Sequence, residues 1–401
     1  MEPQNLNYSN EITTVRSADL DRLCEIQEKY SNGGVRTIVV MPSISFPREN
    51  LKGILGIEHY EARSLWEILA ANCSRTKIIF ITSRKMNTEN IKHLLSSSNS
   101  GRSIRKRVSF ISLDDPRIGI SLGDKLLARL DLIRLIKNAI NPRETYLESF
   151  ISTDCEKKVA EALGIAPFGS FDQYWATKSG NRKIFQECGI NFADGINDIY
   201  SESQLKLAIV SLWSKYPSIT KYMMKLDTGV SGDGNAIVQH EISFDEFKKI
   251  NQQEKDQYLN QILLNAKYQS KFMGWTEYSK QISVGMIIEL FISGELRCSP
   301  SAQGKIHPDG TVELLSTHEQ ILDRNGMKFL GGTFPASKEY RKTLTQYTEL
   351  IGKELATRGV IGSYSIDFLL SDENGQTVVW VIEINIRKGG TTHPYFTARY
   401  L

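Results

Sequence analysis

Cysteine is scarce and scattered in this chain of 401 residues: Cys24, Cys73, Cys155, Cys188 and Cys298, with no CxxC pair. That spacing argues against zinc sites and against a disulfide framework. The six histidines form no HxxxH spacing. No serine–histidine arrangement is read from the chain, so covalent serine or cysteine catalysis is not expected. Long apolar runs are missing too: Val284–Ile292 is broken by Glu289 and is far too short to span a bilayer. Without an apolar N-terminal run there is no secretory signal to read, and reduced thiols in a cytosol are the expectation. A net charge of +3 is too small to imply nucleic-acid binding.

What is present suits two or three soluble domains, with 40% hydrophobic and 24% charged residues. Residues Ala18–Tyr30 read as an amphipathic helix stopped by Ser31-Asn32-Gly33-Gly34. Short β-branched runs at Arg36–Met41, Lys77–Thr82 and Val108–Leu113, with a helical stretch at Tyr60–Asn72, predict a parallel α/β layer. The basic segment Arg102–Arg107 reads as a solvated loop, with docking of an acidic partner as the other reading. A new α/β unit starts near Ala160–Pro167, and Lys178–Cys188 reads as a helix closed by Gly189. Later strands are expected at Ile219–Leu226, Val284–Ile292, Glu295–Cys298, Val312–Leu315, Tyr364–Leu370 and Thr377–Arg387, with helices near Phe244–Leu259 and over Ser337–Gly359. No internal repeat is visible.

The run Val378–Arg387 (VVWVIEINIR), followed by Lys388–Pro394 (KGGTTHP), carries the most chemistry. At a period of two, Glu383, Asn385 and Arg387 share one face of a strand otherwise built for burial. A divalent cation would satisfy Glu383 and Asn385, and a phosphate or carboxylate would satisfy Arg387. An ordinary strand with its polar face toward water is the alternative. The preceding strand contains Asp367, and Asn374-Gly375 between them is a hairpin signal. A plain two-residue loop sets Asp367 opposite Ile382 and away from Glu383. An odd-numbered or bulged connection sets it opposite Glu383, as a shared metal requires.

The loop Gly229–Asn235 follows Lys225-Leu226 and holds three glycines in six residues, which lets backbone N–H groups face an anion. It is not a Walker A loop, since no GK[ST] follows, nor a dinucleotide fingerprint. A hairpin turn beside a surface lysine remains the alternative. Glu289 ends an apolar strand and Gly294-Glu295 follows a turn. The stretch reads either as a hinge reading a purine edge, with Glu295 on ribose hydroxyls, or as a strand-end carboxylate. Arg297 would receive a substrate carboxylate or form a structural ion pair.

Taken in order, these elements resemble the ATP-grasp fold, and more closely the pheganomycin-type peptide ligases and their amino-acid ligase relatives. The likeness covers nearly the whole chain and rests on VVMPSISF, GIEHYEARSL, TKSGNRKIF, VSGDGNA, LRCSPSAQ, ELLSTHEQIL and EINIRKGGTTHP. It implies an α/β (α+β) chain: an N-terminal extension over 1–32 and a parallel α/β pre-ATP-grasp domain over 33–168. The ATP-grasp subdomains would follow over 169–283 and 284–401. It further implies ATP with Mg²⁺ (Mn²⁺ as a substitute). Lys178 and Lys225 would hold phosphates under a loop contributed by Gly229, Ser231, Gly232 and Gly234. Glu289 and Leu290 would line the adenine, and Glu295 the ribose. Asp367, Glu383 and Asn385 would carry the metal. Arg387, with Lys225, would stabilise the transferring phosphoryl group, and Arg297, Ser299 and Thr392 would meet the substrate.

Two features depart from the pheganomycin-type pattern: the chain ends at Leu401, soon after GGTTHP, and Lys, Asn, Ile and Ser are frequent. A composition of that kind resembles the butirosin-type glutamate–acyl-carrier-protein ligases, in which a pantetheine thiol accepts the acyl group. The implied activity is activation of an amino-acid or related carboxylate as an acyl phosphate. Transfer would follow to an amine or to the thiol of an acyl carrier protein, in natural-product (antibiotic) assembly. A nucleotide sensor without turnover and a small-molecule kinase are the competing readings, and homodimers are common in the fold.

Overall fold

The computed structural model describes residues 18–45, 56–229, 232, 234–270, 273–292, 295–322, 329–373 and 375–401. Three sheets organise them. The first is wholly parallel and joins β1 (Arg36–Met41), β2 (Thr76–Thr82), β3 (Val108–Ser112), β4 (Thr145–Ser149) and β5 (Ala166–Phe168) in the order β3-β2-β1-β4-β5. Continuous apolar runs suit such a sheet because both faces are covered. Ile38, Val40, Ile78 and Phe80 pack on Leu65, Ile68 and Leu69, whereas Val39, Met41, Ile79 and Ile81 meet Leu122, Leu126, Ile136, Val159 and Leu163.

The second sheet is antiparallel, in the order β6-β10-β7-β8-β9: β6 (Gly195–Ile199), β7 (Lys221–Leu226), β8 (Asn235–Gln239), β9 (Lys267–Tyr268) and β10 (Met286–Leu290). One face, with Tyr222, Met224, Leu226, Met286 and Ile288, packs around Trp213 and the helix Glu202–Lys215. Alternation leaves Lys225 and Glu289 on the other face, one strand apart. β10 begins past the boundary expected at 283/284 and pairs back into this sheet.

The third sheet is antiparallel: β11 (Glu295–Cys298), β12 (Pro300–Ile306), β13 (Val312–Leu322), β14 (Phe329–Thr333), β15 (Gly362–Glu373) and β16 (Gln376–Asn385), with β16 on the outer side of β15. The helix Lys338–Thr357 buries Tyr340, Leu344, Ile351 and Leu355 against Tyr364, Ile366, Phe368, Val381 and Ile384. Ile184 and Phe185 of the helix Lys178–Glu187 join the same core, so this helix is fixed to the third sheet while its polar first turn faces the second.

Several local expectations need correction. The basic segment is no plain loop: Gly101–Arg105 forms a short helix, and Arg107 folds back to donate to the Ala71 carbonyl. The stretch 57–72 is a 3-10 helix, and the lysine-rich region splits into Phe244–Lys249 and Gln252–Leu264 at Asn251, which caps the second helix. A GxSxG string, Gly119–Gly123, also escaped the sequence reading. Its Ser121 is the N-cap of the helix Leu122–Leu127, held by Asp124 and Cys155 instead of a histidine. Among the described residues no helix is long and apolar enough to cross a membrane.

Candidate active site

The β15–β16 hairpin satisfies two requirements that looked incompatible. Pairing begins with Glu373 opposite Gln376, the register of a two-residue turn, and a bulge between Asp367 and Phe368 then shifts it by one. Ile382 is the extra residue, so Asp367 stands directly opposite Glu383, and Ser365 opposite Asn385. Opposed residues on one face have Cβ atoms roughly 5 Å apart. Two carboxylates at that spacing repel, and burial together with the Glu383 charge pushes the Asp367 carboxyl up to about 6. Asp367 is steadied by Gln320 Nε2 at 2.7 Å and by the Asn385 amide at 3.2 Å. Arg387 lies just beyond the strand and donates to Asn385 Oδ1 at 3.0 Å. The amide thus links the acid to the guanidinium.

Glu383 behaves differently. Burial would raise it, but Lys178, then Lys225 and Arg387, hold it below the usual carboxylate range. Lys178 Nζ lies 2.8 Å from Glu383 Oε1 and also donates to the Gly229 carbonyl at 2.8 Å. Lys178 is placed by its helix: Thr177 accepts the Gly180 N–H and Asp227 accepts the Ser179 N–H, filling positions that a helix start leaves open. One side chain therefore ties the glycine loop to the acid pair.

Across the cleft, Glu289 bridges Lys225 Nζ at 2.6 Å and Arg182 Nη1 at 2.8 Å, all three nearly buried. Arg182 follows Lys178 by one helical turn, so both cations leave the helix on one side. Sequence analysis gave Arg182 no role; its four-residue spacing from Lys178 was the available signal. Gln320 and Lys388 were missed. Lys388 is 5% exposed and pairs with Glu67 at 2.8 Å and Glu148 at 2.9 Å, both from the N-terminal region.

The remaining sequence candidates are placed as follows. Ser231 lies outside the described residues, as do the side chains of Glu295 and Arg297, although their strand β11 pairs with β15. Gly229 lies beside Gly234, Gly232 packs on Gln269, and Leu290 ends β10. The Ser299 hydroxyl donates to the Phe368 carbonyl at 2.9 Å, and the Thr392 hydroxyl accepts the Gly389 N–H and donates to Gln303. Both hydroxyls are already engaged within the protein, Ser299 with β15 and Thr392 with its own loop and with β12.

No group of three or more His, Cys, Asp or Glu gathers as a metal cage among the described residues. Two opposed acids form a smaller, oxygen-only set, which Asn385 would join by turning the oxygen it now offers Arg387 toward the ion. Mg²⁺ accepts such sets, keeping other positions for water and substrate phosphates. A cation between Asp367 and Glu383 would also remove the repulsion that raises Asp367. The residues therefore fit the ion, and this yields a prediction for the metal-free protein. Above the ordinary 3.8 the folded state favours protonated Asp367, so its contribution to stability is full at low pH and lost as pH rises toward 6. Asp367→Asn removes this loss. Thermal unfolding in EDTA is expected to show the variant stabler than wild type by about 1 kcal/mol above pH 6, with parity near pH 4.

The family model for IQCH-like ATP-grasp domains matches residues 170–390. A zebrafish (Danio rerio) protein, IQ motif-containing protein H, is 21% identical over 89% of this chain and 38% of its own length, so the chain spans well under half of that relative. An L-propargylglycine–L-glutamate ligase of Streptantibioticus cattleyicolor is 22% identical over 93% of this chain and 75% of its own. Among solved structures, a biotin carboxylase complex from Campylobacter jejuni superposes with a TM-score of 0.53 at 13% identity, covering 92% of this chain and 71% of that one.

Proposed function

The chain belongs to the IQCH-like ATP-grasp family, and on that premise we propose that it is an Mg-ATP-dependent ligase that activates an amino-acid carboxylate as an acyl phosphate and passes it to an amine. The observation that carries the reading is the register of β15 and β16, which sets Asp367 against Glu383 with Asn385 and Arg387 in line. Four cations, Lys178, Arg182, Lys225 and Arg387, are gathered here with four carboxylates, Asp227, Asp367, Glu289 and Glu383. Cations concentrated at one cleft suit a triphosphate once a divalent ion occupies the acid pair.

In the proposed site Lys178 and Lys225 hold phosphate oxygens, and the Gly229–Gly234 loop closes over them. Leu290 lines the adenine and Glu295 meets the ribose. The Glu289 carboxylate, already shared by Lys225 and Arg182, positions Lys225 instead of reading the base. Asp367, Glu383 and Asn385 would hold Mg²⁺, which when bound neutralises phosphate charge. Phosphoryl transfer needs positioning and charge more than covalent help, so the protein's task is to align the substrate carboxylate and to stabilise developing negative charge through Arg387 and Lys225. Residues 33–168 would serve as the pre-ATP-grasp domain, with Arg297, Ser299 and Thr392 in the wall facing the substrate.

The ligase relative is named for two amino acids, which favours an amine acceptor over a carrier-protein thiol. The same name supports a place in the assembly of small, specialised amino-acid products. Incubation with Mg-ATP, the twenty amino acids singly and in pairs, and hydroxylamine tests the reading. Hydroxamate with ADP is expected. ADP with a stable phosphorylated product would mean a kinase, and no ATP consumption with any carboxylate would leave a nucleotide sensor. Acyl transfer to holo-acyl carrier protein but to no amine would replace the amine acceptor by a thiol.

A further inference from the structure

The parallel sheet presents a second polar cluster at the C-terminal ends of its strands, where open α/β sheets commonly bind ligands. Lys125, 5% exposed, projects from the helix Leu122–Leu127 and, among the described residues, donates to the Ser83 hydroxyl at 3.0 Å. Burial lowers its basicity. Beside it, Arg84 donates to the Pro116 carbonyl at 3.3 Å, and Glu61 accepts the Ser83 N–H at 2.7 Å. Arg117 is neutralised by Asp115. Among the described residues neither Lys125 nor Arg84 forms a direct ion pair with a carboxylate, and Glu61 and Asp115 act on Lys125 only at longer range. A buried ammonium held only by a hydroxyl and by more distant carboxylates is left partly uncompensated, and a ligand carboxylate at close range would complete it. These groups line a cavity of about 60 Å³ that shares Pro116, Arg117 and Lys125 with a neighbouring one of about 420 Å³, room enough for a small molecule.

The position connects this cavity to the ligase site. β1 lies between β2 and β4, and Lys388 N–H donates to the Phe150 carbonyl just past the end of β4. Ser83, just past β2, is thus two strands away on the same edge, roughly 10 Å. The 3-10 helix Ile57–Asn72 spans the interval. Glu61 faces the cavity, Tyr60 is within electrostatic range of Arg387, Arg63 donates to the Gly390 carbonyl, and Glu67 holds Lys388.

We propose that Lys125 and Arg84, with Glu61 holding the Ser83 backbone beside them, form a subsite for the non-reacting carboxylate of an amino-acid or short-peptide substrate, whose other end reaches Arg387. The subsite rests on the ligase reading for its purpose, but its binding chemistry is testable without turnover. Calorimetric titration of the nucleotide-free protein would use the twenty amino acids and a set of dipeptides, each as free acid and with its carboxylates amidated. At least one free acid is expected to bind wild type and to lose about tenfold or more in affinity on amidation. Lys125→Met, which keeps the volume, should show a similar loss, and Arg84→Gln, at an exposed position, a smaller one. Mg-ATP affinity should stay unchanged in both, Arg84→Gln should melt like wild type, and Lys125→Met should melt no lower than wild type, so that weaker binding cannot be put down to misfolding. Equal binding of acid and amide, equal binding by Lys125→Met, or no free acid bound by wild type would each overturn the subsite. In turnover, a KM rise confined to the phosphorylated donor or to the amine acceptor tells which substrate brings the carboxylate. Absence of ATP consumption would defeat the ligase reading alone and leave the binding result standing.

Discussion

Arg387→Ala is expected to slow ATP-dependent ligation by a factor of several hundred, equivalent to roughly 3–4 kcal/mol of barrier. The guanidinium lies past the end of β16, bonded to Asn385 Oδ1 and facing both Asp367 and Glu383. It fills no core position, so its removal takes away positive charge near the reacting phosphoryl group without opening a cavity. The loss should therefore fall on kcat, with the melting temperature close to that of wild type. Arg387→Lys should recover part of the rate, because a point charge replaces the planar fork without its paired donors. A wild-type rate from the alanine variant would remove Arg387 from the chemistry.

Lys388→Met is expected to act on the fold instead. The Lys388 ammonium is the shared partner of Glu67 on the 3-10 helix and Glu148 on β4. Removing one member of a buried pair leaves uncompensated charge and destabilises by about 3–5 kcal/mol. The effect should depend on pH. Burial already pushes the Glu67 carboxyl up to about 7, so the folded state favours its protonated form, and this contribution is lost as pH rises from the ordinary 4.5 toward 7. Without Lys388 that rise grows. Urea unfolding should show a larger deficit at pH 8 than at pH 5, and Glu67→Gln in the variant background should restore much of it. A deficit independent of pH would mean that lost packing against Trp66, whose ring Lys388 overlies, dominates.

The parallel sheet was legible because RTIVVM and KIIFIT are buried on both faces and so carry unbroken apolar runs. β4 and β12 escaped for the opposite reason. TYLES and PSAQGKI are largely buried yet polar, with Gln303 satisfied by Ser316 and Thr392. A hydrophobic pattern cannot reveal a strand whose buried groups are paired by hydrogen bonds. The hairpin was legible down to its alternatives: Asn374-Gly375 pointed to a short turn, and pairing the two acids required an irregularity. Nothing in the apolar run WVIEI marks Ile382 as the bulge that provides it. The ties from Lys388 to Glu67 and Glu148 join residues far apart in the chain, and local spacing carries no trace of them. Lys178 was readable as a candidate, but its bridge between the Gly229 carbonyl and Glu383 depends on the meeting of two sheets.

The central claim is that a carboxylate oxygen attacks the γ-phosphorus and later leaves with phosphate. The donor found by hydroxamate formation should be prepared with ¹⁸O in its carboxylate and turned over with Mg-ATP and the acceptor, and the phosphorus products read by ³¹P NMR. ADP together with inorganic phosphate carrying one ¹⁸O is the expected result. AMP carrying the label, with unlabelled pyrophosphate, would mean adenylation and would contradict the roles given to Lys225 and Arg387.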